Sequence, residues 1–285
     1  RGLYDEFGPA RVRDTTINET FIVGGAAGAA MTGTVPVVEL QFADFLYIAA
    51  DELFHKLAKW RYMHGGKLTL PVVVRLPTGV LGGAGAEHSQ SLEAVAMHTP
   101  GLKVVLPSTP ADAKGLLKTA IRDPNPVLFF EHKGLYRVKG EVPIGGDHLV
   151  PFGQAAVRRT GVDMTVVATG MMVSRALQAA ETLAAEGIEL TVIDPRTLVP
   201  LDIETILESV RETSRALVVH EAVRTAGAGA EIAARIGEEA FFSLDAPVWR
   251  LGALDTPLPQ DPELEQACIP SVAEIERAAR ELVRL

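Results

Sequence analysis

The sequence predicts an α/β fold: two three-layer domains, each built on a mainly parallel sheet. Three observations carry that prediction. Short apolar runs alternate with helical patterns through both halves of the chain, the signature of successive βαβ units. The runs are β-branched and continuous rather than alternating, as expected of strands covered on both faces. A segment from Gly134 to Gly153, rich in glycine and carrying Pro143 and Pro151, separates one block of units from the next. At 285 residues the chain is long enough for two domains. The division is placed at 1–150 and 151–285.

Taken in order, the chain opens RGLYDEFGPARVRD, charged and without a strand, so a further piece of fold is expected upstream. Asn18 and Glu19 then open a helix of very small residues. From Phe21 to Val38 there is no charge, and Gly24, Gly25, Gly28 and Gly33 lie in that run. Its glycines, alanines and Pro36 make it too weakly apolar for a membrane span, so it is assigned to a buried helix and a strand. Strands are predicted at 35–40, 70–76, 102–106 and 127–131. Between them, Leu46, Ala50, Leu53, Leu57 and Trp60 keep helical spacing over 46–63. A second helix over 110–122 starts at Ser-Thr-Pro-Ala-Asp, a good capping sequence. The second block is predicted as strands 164–169, 190–193, 216–220 and 248–251, with helices 172–186, 203–211, 227–239 and 271–283.

Composition excludes several classes. A hydrophobic content of 47% with 22% charged residues is ordinary for a globular chain. A formal charge of −9 argues against nucleic-acid binding, which demands a basic face. The single Cys268 leaves no internal disulfide framework and fits a reducing compartment. The opening residues lack the apolar core of a secretory signal.

Candidate chemistry is concentrated in a few places. Glu19 has two compatible explanations: an acid favoured by the helix dipole, or a carboxylate held ionised beside a pocket to meet a protonated ring nitrogen or a metal. His88 lies in TGVLGGAGAEHSQSLE, a glycine-rich loop without the ending of a phosphate cradle. It is either a loop histidine or an active-site group presented by a mobile loop. No G-x-S-x-G elbow surrounds Ser89, which excludes an ordinary serine hydrolase. His55, His64 and His98 lack ligand spacing. His220-Glu221 ends a predicted strand, where parallel folds bind ligands, and ranks lower. Asp123 and Asn125 in IRDPNP are turn formers or ligands of a hard cation.

Several segments in order then become recognisable: DTTINE with its Gly/Ala helix, PVVELQFADF, LAKWRYMHGG, AEHSQSLEA, PGLKVVLPSTPADAKGLLKTAIRDPNPVLFFEHKGLYR, IDPRTLVPLD and VVHEA. Together they resemble the β subunit of the E1 component of 2-oxoacid dehydrogenases, thiamine-diphosphate-dependent enzymes of the transketolase-like superfamily. The resemblance covers essentially the whole chain and is nearest to the branched-chain type. It implies a pyrimidine-binding domain followed by a transketolase C-terminal domain, the first lacking the strand and helix that such β chains usually carry upstream. Glu19 matches the glutamate that bonds N1′ of the cofactor's aminopyrimidine, favouring the imino tautomer that activates C2. Ile17, Gln41 and Phe45 match positions lining the pyrimidine, and His88 matches a histidine near the substrate that donates a proton as the acyl group passes to lipoyl. Ala120, Ile121, Asp123 and Asn125 match a structural potassium site. Thr16 and Asn18 depart from the commoner Pro and Ser, leaving Glu19 in register.

The Gly-Asp-Gly motif that holds Mg²⁺ on the diphosphate is missing; Gly145-Gly146-Asp147 is the nearest approach to it. The diphosphate and Mg²⁺ are therefore expected on an α subunit, in an α₂β₂ assembly serving a lipoyl acyltransferase E2. Gly24 and Gly28 are expected to let another subunit's backbone come close. The compartment implied is the bacterial cytoplasm, or the mitochondrial matrix in a eukaryote. Competing readings are a pyruvate or acetoin enzyme of the same kind, a self-sufficient transketolase-like enzyme, and a non-catalytic assembly subunit. Neither a nucleic acid nor a membrane is expected as a partner.

Overall fold

The computed structural model describes residues 2–285. After a short helix α1 (Leu3–Phe7), the first half runs α2 (Glu19–Met31), β1 (Val37–Glu39), α3 (Ala58–Met63), β2 (Val73–Thr78), α4 (Glu93–Met97), β3 (Lys103–Val105), α5 (Pro110–Arg122) and β4 (Val127–His132). The four strands lie in the order β1-β2-β4-β3, all parallel, with Val73 opposite Val37 on one side and Val127 on the other. All four were expected at these places. A 3₁₀ turn, Ala43–Tyr47, and a π-helical stretch, Asp51–Leu57, occupy the beginning of the expected 46–63 helix and lead into α3.

The second half runs β5 (Ala156–Arg159), β6 (Met164–Ala168), α6 (Met171–Ala184), β7 (Leu190–Asp194), β8 (Thr197–Val199), α7 (Ile203–Thr213), β9 (Ala216–Val223), α8 (Ala228–Glu239), β10 (Trp249–Ala253), α9 (Pro262–Ala267) and α10 (Val272–Val283). Its sheet is β10-β9-β6-β7-β5, parallel except for β5. Both sheets thus end in an antiparallel edge strand, and sequence patterning anticipates neither. Arginines interrupt β5, and β8 is only 3 residues long.

The first sheet borrows its edge from the second half. β8 pairs with β3, Val199 opposite Val104, so one hydrogen-bonded ladder crosses between the halves. Beside it, Arg158 bonds Asp194 at 2.7 Å and also Asp112, and Arg196 reaches Asp112 at 3.0 Å. Burial raises Asp194 above the ordinary carboxylate range despite Arg158. The main core is continuous as well: Leu40, Leu46 and Leu92 share one cluster with Leu198, Leu207 and Ile232. Among the described residues no helix is long and apolar enough to cross a membrane.

Candidate active site

In parallel sheets the carboxyl ends of the strands face the ligand side, because the helices cover both faces. Here the chain leaving β1 turns through Gln41 to Tyr47, the chain leaving β2 forms the glycine-rich loop 79–91, and Lys133 follows β4 directly. These three exits meet. The His88 ring lies edge-on to Phe42 and Phe45, with centroids 4.6 and 5.4 Å away. Lys133 is buried, donates to the carbonyl of His88 and places its ammonium 4.9 Å from the centre of the Phe42 ring. Burial depresses the Lys133 pKa, while Asp44, Glu265 and Glu221 around it act the other way.

Glu19 enters from α2. Asn18 caps the helix by accepting the Phe21 N–H at 2.8 Å, which places Glu19 in the first turn, where the dipole favours an anion. Only 6% exposed, Glu19 makes no side-chain hydrogen bond or ion pair among the described residues. Its neighbour Thr20 donates to the Ile48 carbonyl at 2.9 Å, tying the helix start to the turn that carries Phe45. Ile17 is 70% exposed, and Gln41 is exposed at the end of β1. Phe21, Tyr47 and Ile48 are exposed too, so this corner is an open apolar face. Gly25 and Gly28 have free space beyond Cα, whereas an added Cβ at Gly24 would sit 3.4 Å from Glu52 of the same chain. That is an ordinary van der Waals distance, so packing within the chain does not require a glycine at position 24.

Asp123 and Asn125 lie at the opposite, amino-terminal edge of the sheet, in the turn entering β4. Asp123 accepts from the Asn125 backbone and side-chain amides at 2.9 Å each and pairs with Lys103; Asn125 accepts from Arg61 at 2.7 Å. Ala120 lends its carbonyl to the Asp123 N–H, and Ile121 is exposed. Among the described residues no cluster of three or more His, Cys, Asp or Glu could hold a metal. Asp147, in the nearest approach to a diphosphate motif, pairs instead with Lys118 and Arg122.

The pair His220-Glu221 divides, as neighbours on a strand must. His220 is enclosed by Gly227, Gly229 and Gly252, with no partner for either ring nitrogen; burial, helped by Arg250, lowers it to about 4, so it is a neutral packing group. Glu221 reaches the first half. It accepts from the Val80 N–H at 2.8 Å, from Ser91 at 3.2 Å and from His132 Nε2 at 2.7 Å. The Gly134 N–H donates to His132 Nδ1, so the proton on this ring sits on Nε2. Burial works against the charge of Glu221, but these partners hold it below the ordinary carboxylate range. Glu93 is buried nearby without such support. Burial pushes it up to about 7, and Glu221 adds to the rise. Sequence reasoning overlooks Lys133, Glu93 and Glu265; a charge directly after a strand, as in EHKG, is the one signal it could have used.

A lone buried carboxylate on a capped helix start, an aromatic corner at the strand exits and an open apolar face suit one half of a cofactor ring site in a two-domain α/β chain. Comparison with known proteins specifies the class. Residues 1–139 match the transketolase pyrimidine-binding domain and residues 153–275 the transketolase C-terminal domain. The chain is 48% identical to the β subunit of acetoin:2,6-dichlorophenolindophenol oxidoreductase of Cupriavidus necator, covering 100% of this chain and 83% of that one. It is 47% identical to the 2-oxoisovalerate dehydrogenase β subunit of Bacillus subtilis, with 99% and 86% covered. Against the pyruvate dehydrogenase E1 β subunit of Rhizobium meliloti it is 45% identical, with 98% and 61% covered. A split-gene transketolase solved as an inactive β4 tetramer shares the fold, with a TM-score of 0.79, 25% identity, and 99% and 87% covered. The chain belongs to the E1 β-subunit family of 2-oxoacid and acetoin dehydrogenases, oxidoreductase subunits of a thiamine-diphosphate-dependent superfamily that work with an α partner.

Proposed function

We propose that this chain is the β half of an E1 enzyme that oxidatively decarboxylates a branched-chain 2-oxoacid and passes the acyl group to the lipoyl arm of an E2 acyltransferase. The observation that carries this reading is Glu19, a mostly buried side chain with no partner among the described residues, on a helix start that Thr20 ties to the turn carrying Phe45. A carboxylate in that state suits the N1′ edge of an aminopyrimidine. Thiamine diphosphate, when bound, supplies the electron sink that decarboxylation requires. Glu19 would hold the proton at N1′, and Phe45, Ile17 and Gln41 would line the ring. His88 donates a proton to the lipoyl sulfur as the acyl group is transferred.

The diphosphate and its Mg²⁺ would belong to the α subunit in an α₂β₂ assembly, because this chain has no Gly-Asp-Gly motif to hold them. A potassium ion at the 120–125 turn would rest on backbone oxygens of Ala120, Ile121, Asp123 and Asn125, because the side-chain oxygens of Asp123 and Asn125 already accept from Lys103, Arg61 and the Asn125 amides. In this reading residues 1–150 form the pyrimidine-binding domain and 151–285 the C-terminal one. The protein would act away from membranes and nucleic acids, in the cytoplasm of a bacterium or the matrix of a mitochondrion. Acetoin and pyruvate are the competing substrates, on the strength of the Cupriavidus and Rhizobium relatives. The test is turnover of 2-oxoisovalerate, pyruvate, 2-oxoglutarate and acetoin by the chain with and without its α subunit. Activity is expected only with the α subunit and highest on 2-oxoisovalerate; turnover by the lone chain would overturn the shared-site reading.

A further inference from the structure

The loop that carries His88 is built to be loose. Gly79, Gly82, Gly83 and Gly85 all take positive φ, a conformation that glycine enters readily and that gives the backbone little stiffness of its own. Its base is closed by the Gly79 N–H and the Thr78 hydroxyl, both donating to the Gln90 carbonyl. Its body is held by the second half of the molecule. Glu265, on α9, is 0% exposed and grips the loop at two points: Oε2 accepts the Gly83 N–H at 2.7 Å and Oε1 accepts the Ser89 hydroxyl at 2.5 Å. Ser89 adjoins His88. The chain before α9 lies along the same seam, for a Cβ on Gly83 would fall 2.3 Å from the Gln260 carbonyl and one on Gly85 2.6 Å from the Gln260 side chain. Two of these glycines are therefore required by the approach of the second half.

We infer that Glu265 is a positioning residue for His88, a clamp through which the second half fixes where the loop presents its imidazole. Glu221 anchors the two ends of the loop through Val80 and Ser91, and Glu265 fixes the middle, next to the histidine. Charge-assisted hydrogen bonds of this kind are among the stronger ones a carboxylate makes. A displacement of about 1 Å at a reacting group lowers turnover by roughly a hundredfold. The inference rests on the reading of His88 as the proton donor in acyl transfer.

The experiment uses the assembled αβ enzyme with Ser89→Ala, which cuts one tie, and Glu265→Gln, which keeps the shape but cannot accept from both donors. Each is read by hydrogen exchange over residues 79–91, by melting temperature, and by lipoyl acylation kinetics, with His88→Asn assayed alongside. The expected result is at least about tenfold faster exchange confined to the loop and about a tenfold to hundredfold lower kcat for lipoyl acylation. The KM for the 2-oxoacid is expected to stay unchanged and the melting temperature to fall by only a few degrees, about what one lost buried hydrogen bond costs. Unaltered loop exchange in both variants overturns the clamp. A loosened loop with normal acylation kcat overturns its positioning role. Normal acylation in His88→Asn sinks the reading of the histidine itself, and loop exchange then decides the clamp separately.

Discussion

Glu19 and Glu265 are both buried carboxylates, and their surroundings differ in one respect. Glu265 receives a hydroxyl and an amide from its own chain and is itself sealed from solvent. Glu19 receives nothing among the described residues, and Ile17 and Phe21 beside it in sequence, with Ile48 bonded to Thr20, are exposed. Solvent still reaches the Glu19 carboxylate oxygens, which leaves them free for a group from outside the chain. In the proposed site the sealed carboxylate fixes geometry, whereas the open one receives a group from outside the chain.

The comparison can be broken most forcefully at Glu19. In the α-assembled enzyme, Glu19→Gln is expected to lower turnover by about 10²–10⁴-fold, the usual range for losing a proton-transfer group. Size-exclusion chromatography should show the assembly intact. Turnover near normal would take Glu19 out of the site and leave its open face unexplained.

A smaller effect sharpens the sealed side. Burial raises Glu93 from an ordinary 4.5 to about 7, so the folded chain keeps a proton there that the unfolded chain has released. Its contribution to stability is therefore full below 4.5 and disappears as pH rises to 7. His220 runs the other way, since a pKa lowered from 6.5 to about 4 makes its contribution grow with pH over that range. Comparing Glu93→Gln with the unaltered chain cancels His220. Across the Glu93 window the variant should gain stability relative to the unaltered chain, on the order of 3 kcal/mol by chemical denaturation. A difference that stays flat with pH would mean that Glu93 does not titrate there.

The smallest effect is expected at Asp147→Asn. That exposed carboxylate pairs with Lys118 and Arg122 on the surface, where ion pairs add little. Melting temperature and Mg²⁺-dependent activity should both stay as they were. Loss of the Mg²⁺-dependent activity, or a higher Mg²⁺ requirement, would place the metal on this chain and end the division between an open and a sealed half.

How much of this is legible in the sequence follows from where each partner lies. The eight parallel strands announce themselves, because runs such as VVV at 72–74 and VLFF at 127–130 are continuously apolar and each follows a proline. The antiparallel edges β5 and β8 carry too few apolar residues in a row to register. Glu19 is visible as a capped helix start, and resemblance to a family gives it a role. Glu265 is invisible, because its partner Ser89 is 176 residues away and nothing local in LEQACIP marks the acid as buried. His220 shows the converse, a residue of reactive type at a promising strand end that turns out to be enclosed by three glycines.

β8 has a consequence for how the protein comes into being. The far side of the first sheet cannot be finished when its own four strands have left the ribosome, because Thr197–Val199 emerges only after β6 and β7. Until then β3 presents bare amides and carbonyls to any neighbouring nascent chain, the usual opening for edge-to-edge association. Folding of the first half is thus gated by synthesis of the second, and a cut near residue 150 would sever a sheet as well as a linker.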